Sequence, residues 1–220
     1  MNAQRSSDSV SASSWRSARL FVTDEFAAPP VILRVDDSVI GTLGNFSAST
    51  GKAKSKKTFN VCAIVAAAMT GGTVLNYSAS LPPEKRRILY VDTEQSRFHC
   101  KRVLCRILRL AGLPTDVHPP LLEFLCLRGY ATKERLRKIE EAIYDLDDLG
   151  LVVIDGIRDL AHDINSPGES TKVISLLMTW TGERNIHIHT ILHQNKGDEN
   201  ARGHLSLIHI SEPTRLRRIS

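Results

Sequence analysis

The sequence predicts an α/β protein built on a mainly parallel β-sheet flanked by helices on both faces. Three observations predict it. Apolar runs such as ILYVD (88–92) and LVVID (151–155) lack the alternation of a half-exposed strand, as expected of strands covered on both sides. Segments of about 10–15 residues with helical character separate these runs, the pattern of successive βαβ units. Each run also ends in polar or acidic residues, which puts chemistry at the strand ends, where open α/β sheets bind ligands.

Taken in order, residues 1–19 are Ser-rich and poor in apolar side chains, and disorder is expected there. Two extended runs follow, PPVILRV and VIGTLGNFSAS, with the doublet Asp36-Asp37 as the turn of a hairpin. The stretch GKAKSKKTFNVCAIVAAAM (51–69) joins a lysine-rich loop to an apolar helix, which Gly71-Gly72 stops. RRILYVDTE reads as a buried strand, FHCKRVLCRILRLAG as an amphipathic helix ending at Gly112, and LLEFLCLRG as a further strand. TKERLRKIEEAIYDL is a helix, LGLVVIDG a strand, TKVISLLMTWTGE a helix, and NIHIHTILHQNK a strand running into a loop. The expected organisation is one α/β domain over 20–204. The last segment, 205–220, has no convincing period, and its SLIHISEPTR resembles an adapter read-through; the alternative is a basic C-terminal tail that touches nucleic acid. Without it the net charge falls from +5 to +3.

At 220 residues the chain can bury a sizeable core, and 42% hydrophobic with 24% charged residues excludes a disordered or fibrous class. The mild positive charge allows a nucleic-acid partner without demanding one. No apolar run reaches the ~20 residues of a membrane span, so a soluble, cytoplasmic protein is expected. Cys62, Cys100, Cys105 and Cys126 lie within apolar runs with no C-x-x-C pair, which reads as buried free thiols.

The lysine-rich loop poses the functional question. A phosphate-binding P-loop follows a strand, reads G-x-x-x-x-G-K-[ST], and opens a helix whose first amides face the phosphates. Taking Gly51-Lys52 as the G-K pair leaves Ala53 where a metal-ligating hydroxyl is needed. Taking Gly51 as the first glycine places Lys57 and Thr58 correctly, with Lys56 where the second glycine belongs. Alone, the stretch fits a solvated basic loop equally well. Three strand ends strengthen the first reading. Asp155 closes LVVID, where a carboxylate is placed to hold Mg²⁺; a turn or cap residue is the plain alternative. Asp92 and Glu94 close ILYVDTE, where a carboxylate can deprotonate water; the alternative is an acid favoured near the next helix N-terminus. His193, Gln194, Asn195 and Lys196 close HIHTILHQNK, where polar groups can contact a γ-phosphate; a plain polar strand end is the alternative.

The ordered blocks TLGNFSASTGKAKSKKTF, ILYVDTEQS, LVVIDGIRDL and ILHQNKGDENARG resemble RecA-like P-loop ATPases of the RepA-type hexameric helicase family, in the variants of bacterial mobile elements and phages. The resemblance covers roughly residues 30–204. It implies ATP and Mg²⁺ as cofactors, single-stranded DNA as partner and a homo-oligomeric ring. It also implies that Gly51, Lys52, Ala53, Lys54, Ser55, Lys56, Lys57 and Thr58 form the Walker A loop, with Lys57 on phosphate and Thr58 on the metal. Glu94 then matches the catalytic glutamate, Asp155 the Walker B aspartate, and Gln194 with His193 the γ-phosphate sensor. Lys196 and Arg202 stand where the family places cations that reach a neighbour's nucleotide or the DNA. Lys56 departs from the pattern, and the strands expected after RGHL are missing. The rival readings are a nucleic-acid-binding accessory protein without hydrolysis and a nucleotide-binding regulatory switch.

Three further features carry less. His187 and His189 alternate on one strand face but have no third ligand at matching spacing. The mixed charges Lys133, Glu134, Arg135, Arg137, Lys138, Glu140 and Glu141 read as a solvated helix face. INSPGEST (164–171) reads as a loop with Gly168 as a hinge.

Overall fold

The computed structural model describes residues 14–52, 57–161 and 167–194, with the side chains of Ser14, Lys52, Pro167, His193 and Gln194 outside that description. After a 3-10 turn at Ser14–Ala18 come β1 (Val31–Val35), β2 (Ser38–Thr42), β3 (Phe46–Lys52) and α1 (Lys57–Thr70). The short β4 (Thr73–Val74) and β5 (Tyr77–Ala79) precede β6 (Arg87–Asp92), α2 (Arg97–Leu110) and β7 (Leu122–Cys126). Then follow α3 (Thr132–Asp145), β8 (Leu149–Asp155), α4 (Pro167–Arg184) and β9 (His187–Gln194).

Five strands form the expected parallel sheet in the order β3-β9-β8-β6-β7. Among the described residues, β3 is one of its edges. Period-two alternation sorts each strand between two cores. Ile88, Tyr90, Leu151, Val153 and Ile191 join α1 and α2 on one face. Leu89, Val91, Val152, Ile154 and Ile188 join α3 and α4, including Trp180, on the other. By the same alternation Asp92 and Asp155, paired in register at the strand ends, lie on the α1 face.

A second sheet, β2-β1-β5-β4, is antiparallel and was not expected beyond its first hairpin. That hairpin turns at Asp36-Asp37, with Asp36 in the left-handed region (φ 48°). The small sheet covers the far side of α1, whose residues Val61 to Met69 are all buried. From Val61 to Met69 the helix, enclosed between two sheets, has no wet face, which explains that unbroken apolar run.

Helix ends follow the glycine signals: Gly71 (φ 65°) closes α1 and Gly112 (φ 69°) follows α2. Two expectations are corrected. Residues 167–171 of INSPGEST form the first turn and more of α4, so Gly168 is helical rather than a hinge in a loop. Arg135 is not part of a solvated face: its guanidinium donates to the carbonyls of Leu127 (3.1 Å), Arg128 (3.0 Å) and Asp159 (3.1 Å). The remainder of that face behaves as expected, with an exposed Arg137–Glu141 pair. The segments 1–13, 162–166 and 195–220, the last containing the anomalous tail, lie outside the described residues.

Candidate active site

The site gathers at the C-terminal edge of the parallel sheet. β3 delivers Gly51, and α1 begins at Lys57, so a strand leads into the stretch and a helix follows it, as a phosphate-binding loop requires. Ala53, Lys54, Ser55 and Lys56, between them, lie outside the described residues. The Lys57 ammonium folds back to donate to the Gly51 carbonyl at 2.6 Å. Burial lowers its pKa, while the charges of Asp155 and Glu94 oppose that shift. The lysine therefore sits in the field of Asp155 and Glu94, two of the three strand-end carboxylates that the sequence singles out.

Thr58 donates its hydroxyl to Asp155 Oδ2 at 3.3 Å, linking the first turn of α1 to the end of β8. The Tyr90 hydroxyl, from β6, donates to the same oxygen at 3.2 Å. Burial, then the Asp92 and Glu94 charges, push the Asp155 carboxyl up to about 7, against the pull of the Tyr90 and Thr58 hydrogen bonds. A hydroxyl and a carboxylate side by side offer hard oxygen donors, and a carboxylate held so high gains from a nearby cation. The donor set fits Mg²⁺, with Thr58 and Asp155 as the residues that would hold it.

Asp92 and Glu94 separate into different tasks. Asp92 is fully buried, and its carboxylate accepts from the backbone amides of Glu94 (3.0 Å) and Gln95 (2.7 Å) and from Gln95 Nε2 (2.8 Å). It shapes the loop on which Glu94 is carried. Glu94 is exposed and precedes the α2 N-cap, Ser96, so it is not a first-turn acid of that helix. Its side chain lies over Gly156, where a Cβ would come 2.8 Å from Glu94 Cγ and 2.1 Å from Thr93 Oγ1. Gly156 also has φ +100°, so both space and backbone require glycine there. Thr93 closes the contact, its hydroxyl lying 2.9 Å from the Gly156 carbonyl and 2.9 Å from Asp159 Oδ2. Arg135 ties Asp159 to the end of β7.

Sequence reasoning missed Tyr90, Thr93, Gly156 and Arg135. Only Gly156, directly after the acidic strand end, carried a local signal. The backbones of His193 and Gln194 pair with Gly51 and Lys52, which sets the end of β9 beside the loop. Their side chains, and all of Lys196 and Arg202, lie outside the described residues.

His187 and His189 are engaged in a hydrogen-bonded ladder between β9 and β3. The Thr42 carbonyl only accepts, so His187 Nδ1 (2.9 Å) carries its proton and Nε2 accepts from Ser47 Oγ (2.8 Å). Ser47 then accepts from His189 Nδ1 (2.8 Å), and His189 Nε2 accepts from Ser49 Oγ (2.9 Å). The chain needs both imidazoles neutral. Burial lowers their pKa values to about 4 and about 3, which keeps them so.

A family model described as an AAA domain matches residues 16–199, most of the chain. The chain belongs to the AAA domain family. This AAA domain accordingly has the α/β fold of P-loop nucleoside triphosphatases, and its family is one of ATP-binding and ATP-hydrolysing proteins. No curated protein matches the sequence significantly. Among the described residues, no helix of the AAA domain is long and apolar enough to cross a membrane.

Proposed function

We propose that this AAA domain is a Mg²⁺-dependent ATPase of the RepA-type helicase branch that acts on single-stranded DNA as a homo-oligomeric ring, in replication or in the mobilisation of mobile elements. The observation that carries the hydrolytic part is the meeting of Thr58 and Asp155, from α1 and β8, with Lys57 and Glu94 in the same electrostatic neighbourhood. In this reading the loop Gly51 to Thr58 cradles the phosphates, and Lys57 stabilises charge on the transferring phosphoryl group. Glu94, placed by Asp92 and backed by Gly156, takes a proton from the attacking water. Bound Mg²⁺ would supply charge neutralisation on the phosphate oxygens. Gln194 and His193, at the end of β9, are assigned to sensing the γ-phosphate, and Lys196 and Arg202 to a neighbouring nucleotide or DNA.

Thermal unfolding with and without Mg-ATP tests the binding half. At about 100 times the dissociation constant, ligand should stabilise the protein by roughly 2.7 kcal/mol. Lys57→Ala should abolish the shift, and Glu94→Gln should keep it while losing turnover. A folded protein with no shift would overturn the proposal. DNA binding that is steep in salt yet indifferent to ATP would then favour the accessory-protein reading, in which Lys56 spoils the loop and the lysines contact backbone phosphates.

A further inference from the structure

Two cysteines that the reaction does not use lie directly behind the loop carrying Glu94. Cys100 is in the first turns of α2, and Cys126 ends β7, where it pairs in register with Asp92. Both thiols point at one acceptor: Cys100 Sγ and Cys126 Sγ each lie 3.6 Å from the Gln95 carbonyl oxygen. Cys126 is also close enough to help push the Cys100 thiol up. Gln95 is thereby gripped from both ends, with its amide and side chain on Asp92 and its carbonyl on the two thiols. Glu94 is the next residue.

We propose that Cys100 and Cys126 form an oxidisable dithiol, closed to a disulfide by a peroxide, whose state controls the loop that presents Glu94. Cys126 is half-buried and Cys100 buried at 3% exposure, so the oxidant meets Cys126 first. The Cys126 thiolate attacks the peroxide O–O bond, giving a sulfenic acid and hydroxide, which takes up a proton as water. The Cys100 sulfur then displaces the sulfenic hydroxyl, forming the S–S bond, and the thiol proton leaves with that hydroxyl as a second water. Two thiols and one hydrogen peroxide thus give one disulfide and two waters. Burial, the contact with Cys126 and the Asp92 charge push the Cys100 thiol up, which disfavours its thiolate and leaves the first attack on peroxide to Cys126. Cys62, enclosed in the core with its thiol pushed up to about 11, has no such access.

Oxidation removes both S–H donors from the Gln95 carbonyl and tethers α2 to the end of β7. The loop between Asp92 and Ser96 then loses one of its two anchors, while Lys57, Thr58 and Asp155 are untouched. The switch therefore acts on water activation and spares nucleotide binding. That functional consequence rests on the ATPase reading; the disulfide itself does not.

The test treats the folded full chain with hydrogen peroxide, blocks remaining thiols, and maps peptides by mass spectrometry. A Cys100–Cys126 disulfide, reversed by dithiothreitol and absent in both Cys126→Ser and Cys126→Ala, is expected. In the oxidised protein ATP turnover should fall at least fivefold, with the Mg-ATP thermal shift retained. Recovery of Cys126 as an unlinked sulfinic acid, or of both thiols unmodified, would overturn the dithiol. A mapped disulfide with unchanged turnover would overturn the control of Glu94. A reduced protein with no turnover would instead count against the ATPase reading, while the peptide map still decides the dithiol.

Discussion

The strand pairs β6–β8 and β3–β9 belong to one sheet and treat buried polarity in opposite ways. Along β6–β8 the interior is apolar on both faces, and the polar groups Asp92 and Asp155 appear only at the ends. Along β3–β9 the polar groups run through the middle, as the ladder from Ser49 through His189, Ser47 and His187 to the Thr42 carbonyl. In the ladder each group finds its partner inside the protein, and burial moves the histidines toward the neutral form the ladder needs. At the β8 end, burial moves Asp155 away from the charged form that a metal site needs. A polar group whose partner is internal stabilises the fold, whereas one whose partner must arrive from solution is held at a cost.

Four experiments break or sharpen that contrast. The largest effect is expected at the β8 end from Gly156→Val, which forces a Cβ into Thr93 and a branched residue into φ +100°. A loss of about 4 kcal/mol in urea unfolding is expected. In the ladder, His189→Leu strands the Ser49 hydroxyl and takes the donor from the Ser47 oxygen, which keeps only its bond to His187, and should cost roughly 3 kcal/mol. Adding Ser49→Ala to His189→Leu should recover part of that loss, because a group that is absent needs no partner, whereas Ser47 must stay as the donor to His187 Nε2. No recovery would mean the ladder's value lies in packing.

Asp155→Asn should move the other way, stabilising the nucleotide-free protein by roughly 2 kcal/mol at pH 8 while removing the carboxylate proposed to hold Mg²⁺. The folded pKa of Asp155 lies above its ordinary value, so the folded state binds the extra proton between about 4 and about 7. The gain should therefore grow as pH rises through that window and vanish near pH 4. The histidines have the opposite sign, since their folded values lie below 6.5. Their contribution is complete above pH 6.5 and is lost as pH falls toward 4, and His189→Leu should flatten that limb of a stability–pH curve. The smallest effect is expected from Tyr90→Phe, which removes one hydroxyl donor from Asp155. A loss of about 1 kcal/mol is expected, with the Asp155 titration moving further up.

The parallel sheet was legible in the sequence because its strands are buried on both faces and read as apolar runs ending in acids. The small antiparallel sheet was not, since β4 and β5 span two and three residues and offer no period to detect. Thr58 and Asp155 were legible as types at strand and helix ends, though their contact depends on the stacking of distant elements. The role of Arg135 was hidden by its neighbours: charges of both signs surround it in sequence, yet only this one turns inward. The histidine alternation was visible, but its serine partners lie some 140 residues earlier, where nothing local marks them.

The pairing of β3 with β9 also bears on how the chain reaches this fold. β3 is among the first strands made, and its described neighbour in the sheet is the last, residues 46–52 against 187–194. Closing so long a loop is entropically costly and cannot be rewarded until both ends exist. During synthesis the strand that leads toward Lys57 must wait for nearly the whole domain to emerge. A ribosome-bound chain stopped before residue 187 should expose β3 to proteases, and one extended past the folded domain should protect it.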